Sequence, residues 1–209
     1  MSGQQKDLVI VAADADIEFA LRGILGRHLA LGIRPVTFDI FVHPEHDPGC
    51  RTRGASLLGV QASRYRFGLL VFDHEGCGDE QRDRVEVQAS VDAELVHRWQ
   101  DRARTIVIAP EIESWVWSLS PHVDTILGWH GQDLRAALRN KRLLVEGATK
   151  PTDPKAAVEF ALRSAKKARS SGLYKAVAEQ VSLTRCEDPS FLTLRDHLTN
   201  WFGVAEPSV

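Results

Sequence analysis

Cysteine is scarce in this 209-residue chain. Cys50, Cys77 and Cys186 are odd in number and far apart, which excludes a framework of disulfides and agrees with a reducing compartment. Long apolar runs are also missing, and none approaches the roughly 20 residues that a membrane-spanning helix needs. No basic, apolar leader opens the chain, so no secretory signal is expected; the expected location is the cytoplasm, with no membrane partner. There is no internal repeat, low-complexity tract, Gly-rich phosphate loop or GxSxG nucleophile elbow, which sets aside solenoids, P-loop phosphate binding and serine-hydrolase chemistry. Net charge is small as well, −2 at neutral pH, so the overall balance selects no class of partner.

What is present is an ordinary soluble composition, 44% hydrophobic and 26% charged, in a chain long enough for one large domain or a domain with an appendage. The charge is unevenly spread. Asp73, Glu75, Asp79, Glu80, Asp83, Glu86, Asp92 and Glu94 face only Arg82, Arg84 and Arg98 in the same stretch. Between Arg135 and Lys175 the balance inverts, with Lys and Arg far outnumbering Glu146, Asp153 and Glu159. Such a division suits either a metal site beside a phosphate-binding surface or two solvated faces.

The organising stretch is Phe67-Gly-Leu-Leu-Val-Phe-Asp-His-Glu75, a continuous apolar run ending in two carboxylates. It reads as a strand covered on both faces, as in a parallel sheet, where ligands bind beyond the strand C-termini. Asp73 and Glu75 are two apart and would point the same way if the backbone stayed extended. Converging carboxylates raise each other's pKa unless a cation or donors compensate, and Mg²⁺ or Mn²⁺ is the oxygen-loving choice.

The same arrangement recurs along the chain. Asp7 to Ala13 reads as a first strand closed by Asp14 and Asp16, followed by helical spacing through Ile17, Leu21, Ile24, Leu25 and Leu29 up to Gly32. Asp14, Asp16 and Glu18 gather at that turn, where helix capping alone accounts for one or two of them. Pro35 to Val42 reads as a second strand, and His43 to Cys50 as a Pro- and Gly-containing connection. Its His43, His46 and Cys50, with or without Cys77, could join a zinc site, although the spacing fits no standard zinc pattern. A helix is expected over Ser56–Tyr65, and a long charged one over Glu80–Gln100. Arg104 to Ala109 reads as a fourth strand, with Pro110 placed to open a helix and Glu111 and Glu113 at the strand end. Trp115 is expected to pack behind those two acids. Acids ending three of four strands point to a metal or acid/base site.

From about residue 131 the strand signal gives way to helices. This divides the chain into an α/β domain, residues 1–130, with a mainly parallel four-stranded sheet in three layers, and a helical extension, residues 131–209, packed on it. Asp153-Pro154 and Asp188-Pro189 read as N-cap and first residue of two of these helices. Phe191, Leu194, Leu198 and Trp201 suit the core, and the tail from Gly203 is expected to fray.

The motifs Asp73-His-Glu75, Glu111-Ile-Glu113-Ser-Trp115, Lys150-Pro-Thr-Asp-Pro-Lys155 and Cys186-x-x-Pro-x-Phe191, in this order, resemble the Toprim-like proteins. Within them they are similar to a domain-of-unknown-function group of bacterial defence islands, and to a small component of a methylation-associated defence system. The resemblance implies a parallel sheet, a first-strand acid as acid/base, and a DxD motif holding Mg²⁺ for phosphodiester chemistry. Here Asp14 or Glu18 takes the first role, and Glu75 replaces the second Asp.

The expected activity is therefore metal-dependent phosphodiester cleavage or phosphoryl handling in anti-phage defence. Asp73 and Glu75 would hold Mg²⁺ or Mn²⁺, aided by Glu111 or Glu113, with Asp14 or Glu18 as acid/base. Lys150, Lys155, Lys166 and Lys167 would contact a nucleic-acid backbone. The competing expectation is a non-catalytic adaptor or regulatory subunit that binds other defence proteins through a degenerate Toprim-like fold.

Overall fold

Four short apolar stretches form four parallel strands: β1 (Lys6–Ala12), β2 (Phe38–Val42), β3 (Tyr65–Asp73) and β4 (Ala103–Ile108), side by side in the order β2-β1-β3-β4. The computed structural model describes residues 5–204. Leu8 to Ile10 and Leu69 to Phe72 are fully buried, which is why β1 and β3 show no polar alternation and take the centre of the sheet. Each such Leu, Ile, Val or Phe contributes about 1.5–3 kcal/mol by leaving water.

The connections place α1 (Ala15–Leu25) on one face and α3 (His46–Gly59) with α4 (Arg84–Trp99) on the other, the arrangement expected of right-handed crossovers in this strand order. On the α3/α4 face a Cβ at Gly54 would come within 2.6 Å of Leu70, and one at Gly68 would meet Leu58 and Trp99 at 3.1 Å. These helices therefore lie closer to the strands than larger residues would allow. By alternation Phe67, Leu69, Val71 and Asp73 turn to the opposite face. There Phe67 stacks on Trp201 at 4.8 Å and meets Phe202 edge-on, both from α9 (Pro189–Phe202).

The remaining helices among the described residues are α2 (His28–Leu31), α5 (His122–Ile126), α6 (Leu134–Asn140), α7 (Pro154–Ser164) and α8 (Ser171–Gln180). Two matter most for the site. At its crossing with α8, α1 has Gly23, where a Cβ would lie 2.8 Å from Ala178 Cβ and 2.9 Å from the Lys175 carbonyl oxygen; the helices approach closely there, and the bond from Ser171 to Asp16 joins their starts. α7 begins as its sequence demands, with Asp153 accepting from the Ala156 amide and Pro154 as first residue.

Several elements differ from the sequence reading. Most of the expected His43–Cys50 connection is the first turn of α3, where Pro48 is tolerated because first-turn amides have no partner inside the helix. That helix ends at Gly59, and Tyr65 opens β3. The pattern from Ile17 to Leu29 breaks at Gly26 into α1 and α2, and Gly32 then closes α2 at φ 70°. Pro110 follows a cis peptide bond and opens no helix; a 3-10 turn starts at Ile112, leaving Glu111 extended. Gly203 bridges to Ile33, while residues 205–209 of the expected frayed tail lie outside the described residues. Among the described residues no helix is long and apolar enough to cross a membrane.

Candidate metal centre

The chain leaves β1 toward β2 on one side and returns across β1 to reach β3 on the other. Above the C-terminal ends of β1 and β3, successive connections diverge and leave the crevice where parallel sheets bind ligands. The acids converge there.

Asp73 is the last residue of β3 and only 6% exposed. Its backbone amide donates to Asp47 Oδ1 at 2.8 Å, which ties the start of α3 to the strand end. Asp14 caps α1 by accepting from the Ile17 amide at 2.9 Å. Beyond Asp73 the chain still follows β4, with His74 N donating to the Ile108 carbonyl and Glu75 N to that of Pro110. This brings Glu111 and the 3-10 turn carrying Glu113 against the end of β3. One oxygen from each of Asp73, Glu111 and Glu113 lies within 4.8 Å of the others, and among the described residues this is the one cluster of three or more His, Cys, Asp or Glu side chains so placed.

Electrostatics at this edge is unfavourable to the fold. Burial, then Asp47, Asp14 and Glu113, push the Asp73 carboxyl well above its usual range despite the Ile112 amide. Asp47 is raised by burial and by Asp14, and Asp14 by burial, Asp16 and Glu113. Glu111 is raised by burial and Glu113, against the pull of Lys155. Two buried carboxylate oxygens, Asp73 Oδ1 and Glu113 Oε2, have no hydrogen-bond partner. Orphaned buried acceptors cost about 1–3 kcal/mol each, more when charged. With three carboxylates in reach of one another and two unpartnered oxygens, the trio could hold a metal ion.

Four side chains of the helical part supply counter-charges and donors. Lys155, near the start of α7, bonds Glu111 Oε2. Arg169 Nη2 bridges Glu113 Oε1 at 2.6 Å and Asp16 Oδ2 at 3.0 Å. Tyr174 of α8 donates to the same Glu113 oxygen at 2.7 Å, and Ser171 to Asp16 at 2.5 Å. Burial works against the Arg169 charge, but Asp16 and Glu113 hold it firmly protonated.

The other sequence-selected residues are dispersed. Glu75 lies beyond the strand, exposed, on a groove of about 420 Å³ shared with Pro110, Glu111, Thr152 and Lys155. It stays outside the buried trio because the extended backbone ends at Asp73. Glu18 pairs with Arg22 one turn along α1 at 2.8 Å. Lys150 binds Asp188 at 2.6 Å, beside the indole of Trp115, which donates to Asp188 and to Ser190. That polar knot joins the Lys150, Cys186-to-Phe191 and Glu111-to-Trp115 motifs behind the acids. Lys166 is exposed, and Lys167 bonds the Ile126 carbonyl. His43 is buried with Nδ1 accepting from the Glu45 amide, His46 is exposed, and burial pushes the Cys50 thiol up; these three form no metal-capable cluster.

Sequence reasoning missed Asp47, Arg169 and Tyr174. Asp47 lies in a Pro-containing segment that reads as a loop, and Arg169 lies between two helices, in neither pattern. Nothing local in the sequence marks Tyr174. No family model, curated protein or solved structure matches the chain.

Proposed function

We propose that this protein is a metal-dependent enzyme that cleaves phosphodiesters or handles phosphoryl groups, with Asp73, Glu111 and Glu113 holding Mg²⁺ or Mn²⁺. The observation that carries the reading is the pair of unpartnered buried oxygens, Asp73 Oδ1 and Glu113 Oε2, inside a carboxylate trio at the sheet crevice. A divalent cation there would neutralise charge developing on a phosphate and lower the pKa of a bound water. Tyr174 and Arg169 fix the Glu113 carboxylate by holding Oε1, leaving Oε2 unpartnered. Asp14 and Asp47, both with raised proton affinity, would take and return the proton of the attacking water. Glu75, on the open groove, would meet the substrate side. Nucleic acid is the proposed substrate class, with exposed Lys166 among its backbone contacts. The setting, a bacterial anti-phage system with further protein partners, is proposed from the motif order alone.

Calorimetric titration of Mn²⁺ into metal-stripped protein tests the centre. Saturable binding that Asp73→Asn or Glu113→Gln weakens by about a hundredfold is expected, followed by loss of cleavage of short DNA and RNA in the same variants. Absence of binding in the wild type would overturn the reading. A second reading is a non-catalytic adaptor, favoured by the fact that Glu111 and Glu113 already have cationic partners within the chain. It predicts unaltered partner binding in Asp73→Asn.

A further inference from the structure

Lys155 sits at the boundary between the buried trio and the open groove. Asp153 already caps α7 through the Ala156 amide at 2.8 Å, so that helix start does not need the lysine. Its ammonium bonds Glu111, its side chain is 44% exposed, and it shares the groove wall with Glu75, Thr152 and Glu159. Arg169 is fixed differently, spanning Asp16 and Glu113 and lying 5.7 Å over the Tyr174 ring. Lysine carries a point charge on a flexible four-carbon stem and can change partner with little disturbance, whereas a bridging arginine cannot.

A cation on the trio and the Lys155 ammonium compete for one carboxylate, and like charges at that separation repel. The groove has the opposite problem. Glu75, Glu111, Asp153 and Glu159 make it anionic, so a phosphate is repelled until positive charge accumulates there. We propose that Lys155 exchanges partners: it neutralises Glu111 when the trio is empty and turns to a phosphate oxygen when the trio holds a divalent cation. Cation and phosphate then bind cooperatively, each strengthening the other by the same factor. This inference rests on the metal reading above and adds to it the residue that couples the two ligands.

The test is calorimetry on the full chain with Mn²⁺ alone, with thymidine 5′-monophosphate alone, and with the nucleotide at saturating Mn²⁺. Wild type should bind the nucleotide about tenfold tighter with Mn²⁺ than without it. Lys155→Met should bind Mn²⁺ about threefold tighter, having lost a competing charge, and should lose most of the Mn²⁺-dependent gain in nucleotide affinity. Lys155→Arg should restore that gain. Opposite signs for the two ligands are the signature, because structural damage would weaken both. Exchange is overturned if Lys155→Met leaves both affinities unchanged or lowers both. If wild type binds Mn²⁺ but its nucleotide affinity ignores the metal, exchange falls and the metal centre stands; if it binds no Mn²⁺, both fall.

Discussion

The two ends of one sheet treat their acids in opposite ways. At the N-terminal end, Asp7 accepts from Arg34 at 2.5 Å and from the Thr37 amide and hydroxyl at 3.0 and 2.9 Å. Arg34, aided by Thr37 and opposed by burial, holds its carboxyl below the usual range. Asp39 is likewise lowered, first by Lys6 and then by Tyr65. At the C-terminal end Asp73 is buried among other acids, its Oδ1 has no partner, and its carboxyl is pushed up. Acids of the first kind stabilise the fold, whereas those of the second kind oppose it, as expected where a binding site is kept at the expense of stability. Position on the sheet, more than residue type, separates the two roles.

The largest expected effect breaks the comparison from above. Asp73→Asn or Glu113→Gln should weaken Mn²⁺ binding by about a hundredfold, roughly 2.7 kcal/mol, while Asp7→Asn leaves it unchanged; equal effects at both ends would dissolve the distinction. Next, Asp7→Ala should destabilise the fold by about 2 kcal/mol in urea unfolding at neutral pH, a figure kept modest because Arg34 is half exposed. The Asp7 carboxyl is lowered on folding, so its stabilisation is present above the unfolded carboxylate pKa and fades as pH falls toward the folded value.

Asp73 carries the reverse sign. Its folded carboxyl is raised, so wild type loses stability as pH rises from the unfolded value through the folded one. Asp73→Asn should therefore stabilise the metal-free protein by about 1 kcal/mol at pH 7, with the gain shrinking in acid. A destabilised variant at neutral pH would mean that the carboxylate has partners in solution. Smallest of all is Glu75→Gln, an exposed change expected to alter stability by less than about 0.5 kcal/mol and Mn²⁺ affinity by less than about threefold. A large loss would return Glu75 to the ligand set.

The sheet was readable because burial on both faces leaves an unmistakable mark: Leu69 to Phe72 can hardly be anything but a central strand. That acids gather at its end was readable for the same reason, since strand ends can be located from where apolar runs stop. Which acids meet was less visible. Asp73 and Glu75 look paired only if the strand continues, but a turn closed by the Cys77 amide on the His74 carbonyl follows at once, while His74 and Glu75 still bond Ile108 and Pro110 across the sheet. Glu111 and Glu113 converge on Asp73 through that same register. Lys155 and Arg169 reach the acids through packing of α7 and α8, and in sequence they resemble any solvated lysine or arginine. Lys150 shows the converse, a basic residue suited to phosphate that is bound to Asp188 instead.

The long sequence separations at the acidic edge also impose an order on synthesis. Glu111 finds its lysine 44 residues later in the chain, and Glu113 its arginine and tyrosine 56 and 61 residues later. At about 5–20 residues per second, the nascent sheet carries its acids without these counter-charges for on the order of several seconds. During that interval protons can compensate the acidic edge, and under the metal reading proposed above a divalent cation would do the same, which would make the metal-ion content of the translating medium a variable in how this chain folds as it is made.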